Sequence, residues 1–453
     1  MVVEITCYGG VNEIGGNKIL VEDGDTRVFL DFGAGFSDGS KYFSAGIEPR
    51  KVNGAGDYFE FGLLPELEGL YSEDALQNTR LKHSNPEIDG VLLSHFHSDH
   101  MGRIQFIDPE IPVYCGETTR LIHEASSESG GSALDGHRIR TFRTGDKLRI
   151  GRIEVRPIHV DHSIPGAYGF VLHTSEGAIA YTGDFRFHGP MGKMTRDFIA
   201  EASNAKPIAL ITEGTRVSDA DHKQDLSEAE VAREAVGVLR HAKKRFVFSS
   251  FRGNDIDRVM SFYRACEETG RNLVVSMKVA ILLEKLRGDK HLDVPRVGKD
   301  VSVYLRRKGK GTFDDREYYT WERKFLDVGI TADEVNQKQD KIFLHLDQWS
   351  FPELIDIKPT RGGSYIHATT EAFNEEGEQD EEVVRNWVGH YGLRYHQIHA
   401  SGHASMAKVG YLVDSVKAKA VIPIHTERPE LFGSFGEESR LLLPTKGKKM
   451  RLG

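Results

Sequence analysis

The sequence predicts an α/β protein of two domains. The first is a sandwich of two β-sheets flanked by helices (residues 1–214 and 389–453), and the second is a parallel α/β domain inserted into it (residues 215–388). Three observations support this prediction. Several apolar strands of the first part end in histidine or aspartate, as a β-sandwich flanked by helices would present them. From residue 226 onward, strand and helix patterns alternate, which is typical of a parallel sheet with helices on its faces. The length of 453 residues is enough for two domains with cores of their own.

Composition agrees with a soluble intracellular enzyme but does not by itself identify one. The three cysteines, Cys7, Cys115 and Cys266, lie far apart and form neither a disulfide framework nor a metal-binding pair, which favours a reducing compartment. The sequence contains no apolar run of membrane-spanning length, and Met1–Glu4 begins a strand rather than a signal peptide. We therefore expect a cytoplasmic protein that has no contact with a membrane.

The most informative motif is Ser94-His95-Phe96-His97-Ser98-Asp99-His100, which directly follows the apolar run Gly90–Leu93. Side chains of an extended segment alternate in direction, so His95 and His97 fall on one side. The turn that follows can aim Asp99 and His100 at a neighbouring point. This arrangement suits two metal ions, each with nitrogen or oxygen ligands and an open position for water. A polar loop that is histidine-rich by chance rarely has this pattern.

Further candidate ligands also follow apolar strands. His159 and His162 come after the strand pattern that begins near residue 152, Asp184 ends the run that begins at Ala178, and His425 ends the run that begins at Ala420. Each candidate therefore occupies the end of a rigid element, from which functional side chains are commonly presented.

In this order, the motifs resemble those of the metallo-β-lactamase superfamily. Asp31 matches the first motif of that superfamily, a carboxylate that is usually structural. The family pattern of a histidine followed by Ser-Ile-Pro selects His162 over His159, which is then structural. The resemblance implies two divalent metal ions, zinc in the first instance and manganese or magnesium as alternatives. By resemblance, His95, His97 and His162 hold one metal, Asp99, His100 and His425 hold the other, and Asp184 bridges the two.

Downstream motifs narrow the resemblance to the β-CASP branch, whose members process nucleic acids. Glu213, His403 and His425 match the motifs A, B and C of that branch. The stretches Ser401–Ala404 and Asp161–Ala167 are similar to those of the ribonuclease J group. The N-terminal Gly9–Asn17 is similar only in part, because the group more often has Lys-Asn-Met where this chain has Gly-Asn-Lys. About thirty residues follow motif C, which resembles the shorter archaeal type.

The resemblance implies a 5′→3′ exoribonuclease that degrades single-stranded RNA from a 5′-monophosphate end, as a homodimer. His403 is then the general acid, Glu213 orients it or His425, and Asp99 and Asp184 belong to the metal-bearing catalytic centre. The net charge of −9 does not exclude RNA, because phosphate contacts need only a local positive groove.

Two loops are candidates for holding phosphate. The first lies between a strand and a helix of the insert, where backbone N–H groups and the helix dipole favour an anion; the alternative is an ordinary turn with a capping serine. The second contains a glycine, which allows a terminal phosphate close to the backbone. By resemblance to the ribonuclease J group, these loops contact the RNA backbone and a 5′-monophosphate, and the candidates are Ser249, Ser250 and Arg258 around the first loop and His399, Ser401 and Gly402 in the second.

Three alternative functions compete with this interpretation. A β-CASP endoribonuclease of the cleavage-and-polyadenylation type would share every metal ligand but would not need a 5′-phosphate pocket. A small-molecule hydrolase of the superfamily would have no use for the insert or for motif B. A subunit that only binds RNA usually lacks some of the ligands, whereas this sequence has all of them.

Overall fold

The computed structural model describes residues 2–36, 41–44, 46–218, 226–370 and 375–452, and within these residues the chain forms three seven-stranded sheets. Two of the sheets face each other, and the third belongs to the insert. The predicted sandwich with an inserted parallel domain is confirmed.

The first sheet of the sandwich combines an antiparallel N-terminal meander with parallel strands. Its spatial order is β21-β1-β2-β3-β4-β5-β6, and β3 to β6 pair in parallel. The strands are β1 (Val3–Gly9), β2 (Lys18–Asp23), β3 (Thr26–Leu30), β4 (Gly90–Leu92), β5 (Val113–Gly116), β6 (Ile139–Phe142) and β21 (Lys449–Arg451).

The second sheet of the sandwich has the order β20-β19-β11-β10-β9-β8-β7. The pairs β10–β11 and β11–β19 are parallel, so their carboxyl ends lie at the same edge. The strands are β7 (Leu148–Ile150), β8 (Ile153–His159), β9 (Tyr168–His173), β10 (Ala178–Tyr181), β11 (Ala209–Glu213), β19 (Ala420–Ile424) and β20 (Arg440–Leu441).

A dry core joins these two sheets. Val21 and Leu30 of the first sheet and Phe170, Ile179 and Ile422 of the second belong to one cluster of fully buried side chains. Burying an aliphatic or aromatic side chain of this size contributes about 1.5–3 kcal/mol each, so this interface fixes how the two sheets face each other. Helices cover the outer faces, as the sequence predicts. Helix α3 (Glu117–Gly130) packs on the first sheet, and helices α4 (Gly192–Asn204) and α12 (Met406–Val416) pack on the second.

The insert contains the third sheet, in which every strand pair is parallel. The order is β15-β14-β13-β16-β12-β17-β18. The predicted alternation of strand and helix after residue 226 is confirmed, including a capping box in which Ser227 and Glu230 bond to each other's backbone N–H. The strands are β12 (Val247–Ser250), β13 (Asn272–Val275), β14 (Ser302–Tyr304), β15 (Gly329–Ile330), β16 (Ile342–His345), β17 (Ser364–His367) and β18 (Arg394–Gln397).

The remaining helices divide between the two parts of the chain, and two are short elements of the first domain. The acidic run after residue 374 begins a helix, as predicted. The helices are α1 (Gly56–Glu60), α2 (Ser98–Met101), α5 (Glu228–Ala242), α6 (Ile256–Thr269), α7 (Met277–Leu286), α8 (Thr320–Arg323), α9 (Ala332–Gln337), α10 (Glu353–Ile357) and α11 (Glu375–His390). Among the described residues, no helix has the length and hydropathy that a bilayer span requires.

The pairing of strand β18 favours a C-terminal limit of the insert further along the chain than the predicted one. The predicted boundary between residues 388 and 389 falls inside helix α11, and strand β18 pairs in parallel with β17 of the third sheet. An edge strand of four residues after a glycine turn carries too weak an apolar pattern to be assigned to a sheet from sequence. We propose that the insert ends after Gln397.

Candidate metal centre

The predicted histidine motif connects the end of a strand to a short helix. Strand β4 ends at Leu92, and helix α2 begins at Ser98. Two other candidate residues follow their strands directly: Asp31 after β3 and His425 after β19. Both have left-handed backbone angles (φ 57° and 52°), which residues other than glycine rarely adopt. Such conformations cluster at functional sites, where the surrounding structure holds them in place.

Three histidines form the first group of candidate ligands. The Nδ1 atom of His97 lies 3.0 Å from His95 Nε2 and 3.1 Å from His162 Nε2. Three nitrogens bound to one zinc ion at about 2.1 Å would lie roughly 3.4 Å apart in tetrahedral geometry. The donor atoms of His95, His97 and His162 therefore already converge on one point.

The second group consists of two carboxylates and two histidines. His100 Nε2 lies 3.0 Å from Asp184 Oδ2, and His425 Nε2 lies 3.0 Å from Asp99 Oδ2. The donor atoms of all four residues lie within 4.8 Å of one another, and all four side chains are buried. This is the second ligand set that the resemblance implies.

Asp184 lies between the two groups. Its Oδ2 atom is within 4.0 Å of a ring nitrogen of each of five histidines: His95, His100, His162, His403 and His425. Its Oδ1 atom is buried and has no hydrogen-bond partner among the described residues. A buried carboxylate oxygen without a partner is costly, and a cation between the groups would satisfy it. The donor set thus fits two divalent ions that share Asp184.

Asp31 orients two of these histidines through their Nδ1 atoms, His100 directly and His95 through Ser94. Its Oδ2 atom accepts hydrogen bonds from His100 Nδ1 (2.7 Å), the Ser94 hydroxyl (2.8 Å) and the Tyr181 hydroxyl (2.5 Å). Because the Ser94 proton points to Asp31, Ser94 Oγ can accept from His95 Nδ1 at 3.0 Å. With Nδ1 of each ring engaged in this way, Nε2 of His95 and His100 is the nitrogen that is available for metal ligation.

Hydrogen bonds at Nδ1 also orient His162 and His425, the two candidate ligands that come later in the sequence. The Gly402 carbonyl can only accept, so His162 Nδ1 donates to it at 2.6 Å. The Thr215 hydroxyl donates to Glu213 Oε2 at 2.6 Å and can accept from His425 Nδ1 at 2.8 Å. In both rings Nε2 is then the nitrogen available to a metal, and it lies within 4.0 Å of Asp184 Oδ2.

The electrostatics of the centre favour added positive charge. Burial raises the pKa of Asp184, but the neighbouring imidazoles outweigh it, and the net pKa is well below its usual range. Burial lowers the pKa of His425, but Asp184 and Asp99 outweigh it and raise the pKa to about 9. Without cations, the centre therefore holds its carboxylates ionised by keeping protons on imidazoles, and divalent ions would replace those protons.

His403 and Glu213 lie together at the edge of this centre. His403 Nδ1 is 2.9 Å from Glu213 Oε2, and Asp184, Glu213 and His403 form a third group of converging donor atoms. Burial lowers the pKa of His403, but the charges of Glu213 and Asp184 outweigh it, so the net pKa is raised. The imidazole is half-buried and its Nδ1 proton is directed at Glu213, which leaves Nε2 for a substrate. His159 lies outside these groups, because its ring packs against Tyr168 at 4.0 Å.

The structure changes the role expected of Ser249 and Ser250. Strand β12 continues through Ser250, so both side chains are buried in the sheet, with 0% and 4% exposure, and their hydroxyls cannot contact RNA. The connecting loop begins one residue later, at Phe251. Burial is the largest cause of the lowered pKa of His97. The positive charge of Arg252, an exposed residue of that loop, also lowers this pKa, so Arg252 lies near His97. The sequence interpretation missed Arg252.

Arg258 is also buried rather than exposed to RNA. Its exposure is 0%, and its guanidinium donates to Glu228 and to the carbonyls of Ala368 and Ala400. The N-terminus of helix α6, expected to attract a phosphate, is instead capped by Asp255, whose carboxylate accepts from the Arg258 N–H. A carboxylate there already complements the helix dipole and repels a further anion. His399, Ser401 and Gly402 are half-buried on the loop that leads to His403.

A comparison with solved structures supports the architecture. A structure of a protein of unknown function from Enterococcus faecalis covers 100% of both chains with a TM-score of 0.77 and 21% sequence identity. At this identity the likeness shows the fold alone. The insert and the sandwich therefore occur together in that protein as well.

Sequence comparisons give the family. The beta-lactamase superfamily domain matches residues 65–248. Ribonuclease J 2 of Streptococcus pyogenes is 24% identical over 95% of this chain and 70% of that protein, and ribonuclease J of Thermus thermophilus is 26% identical over 94% and 68%. Ribonuclease J of Helicobacter pylori is 23% identical over 94% of this chain but 56% of its own length. These comparisons and the ligand groups agree: the chain contains a beta-lactamase superfamily domain and is similar over most of its length to proteins named ribonuclease J.

Proposed function

We propose that the protein is a metal-dependent ribonuclease that degrades single-stranded RNA in the 5′→3′ direction and prefers a 5′-monophosphate end. The observation that carries this proposal is the meeting of two ligand groups at Asp184, with the His403–Glu213 pair beside them. The relatives named ribonuclease J, which match nearly the whole chain, support RNA as the substrate.

The residues around the centre divide the chemistry between them. Two divalent ions, which we propose to be zinc with manganese or magnesium as alternatives, would supply an activated water and neutralise charge on the phosphoryl oxygens. His403 Nε2 donates a proton to the leaving 3′-oxygen. Glu213 accepts from His403 Nδ1 and keeps the ring oriented and protonated for that step. Asp99 and Asp184 hold the two ligand groups together.

The loop before His403 supports a terminal phosphate pocket. The carbonyl oxygens of Ala400, Ser401 and Gly402 each accept a hydrogen bond from a side chain beneath the loop. Among the described residues, no protein acceptor takes the N–H groups of Ser401 and Gly402. Free N–H groups in succession are a typical anion site, and we propose that they hold the 5′-monophosphate, with His399 beside them.

The end-group preference can be tested with one RNA that carries a 5′-monophosphate, a 5′-triphosphate or a 5′-hydroxyl and is labelled at its 3′ end. We expect stepwise shortening of the monophosphorylated RNA and resistance of the other two, because the proposed site on the Ser401 and Gly402 N–H groups recognises a single terminal phosphate. Internal cuts that ignore the 5′ group would contradict the exonuclease proposal and favour the endonuclease of the cleavage-and-polyadenylation type. A circular form of the same RNA serves as the control, since an exonuclease leaves it intact.

Arg252 is expected to strengthen binding of the RNA backbone. Arg252→Ala should raise KM by roughly three- to tenfold, because one phosphate contact is worth on the order of 1 kcal/mol, and should weaken the salt dependence of binding. Arg240→Ala is the matched control, since this exposed arginine lies on helix α5, before strand β12, and pairs with Glu268. Equal KM values for the two variants would contradict a backbone contact at Arg252.

Location and assembly follow from the resemblance. We propose a cytoplasmic protein that forms a homodimer. Light scattering after size-exclusion chromatography of the full chain tests the dimer, and a mass of about one 50.7 kDa chain would exclude it.

A further inference from the structure

Two buried arginines hold the loop that carries His403. We propose that Arg258, assisted by Arg186, is a positioning residue for this loop, which places His403 and the Ser401–Gly402 backbone at the metal centre. This inference rests on the proposed function for its catalytic consequence, but its structural part can be measured separately. Neither arginine reaches solvent, as both are 0% exposed.

Arg258 connects the loop to the insert. Its guanidinium donates to both carboxylate oxygens of Glu228, at 3.0 and 3.3 Å, and to the carbonyls of Ala368 at 2.6 Å and Ala400 at 3.2 Å. The ion pair fixes the plane of the guanidinium, and the remaining N–H groups take carbonyls from two separate segments. A planar donor with five N–H groups can do this, whereas a lysine ammonium cannot satisfy the same set.

Arg186 connects the same loop to the first domain. It follows Asp184 by two residues and donates to the Ser401 carbonyl at 3.0 Å, to Asp161 at 3.3 Å and to Asp257 of helix α6 at 2.5 Å. The Glu228 carboxylate also lies 3.6 Å from the Arg186 guanidinium, so it forms ion pairs with both arginines. The network therefore joins the segment of the metal ligands, the insert and the His403 loop.

The position of the His403 loop must be exact, because the loop makes short contacts with residues of the metal centre. Gly402 accepts from the candidate ligand His162 at 2.6 Å, and His403 lies 2.9 Å from Glu213. A displacement of about 1 Å would break both contacts, and misplacement on that scale can cost on the order of a hundredfold in rate. Arg258 contacts none of the candidate metal ligands directly, so its main effect should be on turnover, and a chain saturated with metal should keep its metal content.

The chain offers a matched control in Arg271. This arginine is also buried, with 8% exposure, and donates to four backbone carbonyls, those of Lys243, Arg245, Gln339 and Ile342. These acceptors precede or begin strands β12 and β16, whereas Ala368 and Ala400 follow β17 and β18. Arg271 thus stabilises the amino edge of the third sheet, opposite the His403 loop.

The experiment compares Arg258→Lys with Arg271→Lys in the full chain loaded with metal. For Arg258→Lys in the metal-saturated chain we expect kcat to fall on the order of a hundredfold, KM to rise by a smaller factor because the loop also carries the proposed phosphate site, metal content to stay unchanged, and amide hydrogen exchange over residues 398–404 to become faster. For Arg271→Lys we expect a lower melting temperature with wild-type kcat and wild-type exchange in that loop. Equal losses of kcat in the two variants, or unchanged loop exchange in Arg258→Lys, would overturn the inference.

A second variant keeps the inference testable if Arg258→Lys does not fold. Glu228→Gln retains the volume of the partner but removes its charge, so the guanidinium loses its fixed plane and the same loop should exchange faster. Unchanged exchange in Glu228→Gln would then overturn the inference. If the wild-type protein cleaves no RNA, the proposed function fails, and loop exchange alone still decides whether Arg258 positions the loop.

Discussion

Replacing Asp184 by alanine is expected to remove both bound metal and RNA hydrolysis. Asp184 Oδ2 lies within 4.0 Å of a ring nitrogen of each of five histidines, so its loss separates the two ligand groups. Metal assistance is worth several kcal/mol of transition-state stabilisation, which corresponds to a loss on the order of a thousandfold or more in turnover. Elemental analysis of the purified variant, together with hydrolysis of 5′-monophosphorylated RNA, measures both effects.

The control for this prediction is Asp197→Ala. Asp197 lies on helix α4, is half exposed and pairs only with Lys193 among the described residues, so metal content and turnover should equal those of the wild type. His97→Ala should behave as Asp184→Ala does, because His97 is the shared neighbour of the other two histidines in its group. An Asp184→Ala protein that kept two metal ions per chain would show that Asp184 does not join the groups.

Replacing His403 by alanine is expected to have the opposite pattern: wild-type metal content and a loss of turnover. His403 belongs to neither of the two predicted ligand sets, and a general acid contributes typically 10²–10⁴-fold. The loss should be smaller for an RNA analogue whose leaving oxygen is replaced by sulfur, because a thiolate leaves without a proton. The measurement is the ratio of the cleavage rates of the oxygen and sulfur substrates, compared between the wild type and the variant.

Glu213→Gln should show a weaker form of the same pattern, since glutamine can still accept from His403 Nδ1 but carries no charge to favour the imidazolium. His390→Ala, at the exposed end of helix α11, is the control and should leave turnover unchanged. Normal turnover in a His403→Ala protein would remove this residue from the chemistry, and equal losses for the oxygen and sulfur substrates would exclude a general-acid role.

Local patterns carried the information for the fold and for the candidate ligands. The parallel strands of the insert are buried on both faces, so β12 and β13 stand out as short apolar runs between amphipathic helices. The candidate ligands follow strands β4, β10 and β19, and a histidine or aspartate after an apolar run is visible without knowledge of the fold. Where an element has only weak apolar periodicity, as in β18, the sequence does not assign it to the insert, and the limit that we propose lies later than the predicted one.

The roles around the candidate RNA site depended on partners that are distant in sequence. Arg258 resembles an exposed phosphate contact until Glu228, 30 residues earlier, and Ala400, 142 residues later, are known to surround it. The side chains of Ser249 and Ser250 are withdrawn from the loop because β12 extends over them to pair with β17. Arg252 carries no distinguishing pattern, and only the packing of the two domains brings it near His97.

The separation of Asp99 and His425 along the chain has a consequence for biosynthesis. These two side chains lie 3.0 Å apart but 326 residues apart in sequence, and strand β19 can complete its sheet only after the whole insert has been made. Contacts of such long range form late, because the intervening chain must first be synthesised and ordered. The second ligand group of a growing chain therefore stays incomplete until strand β19 has been made, although the first group of three histidines is already present.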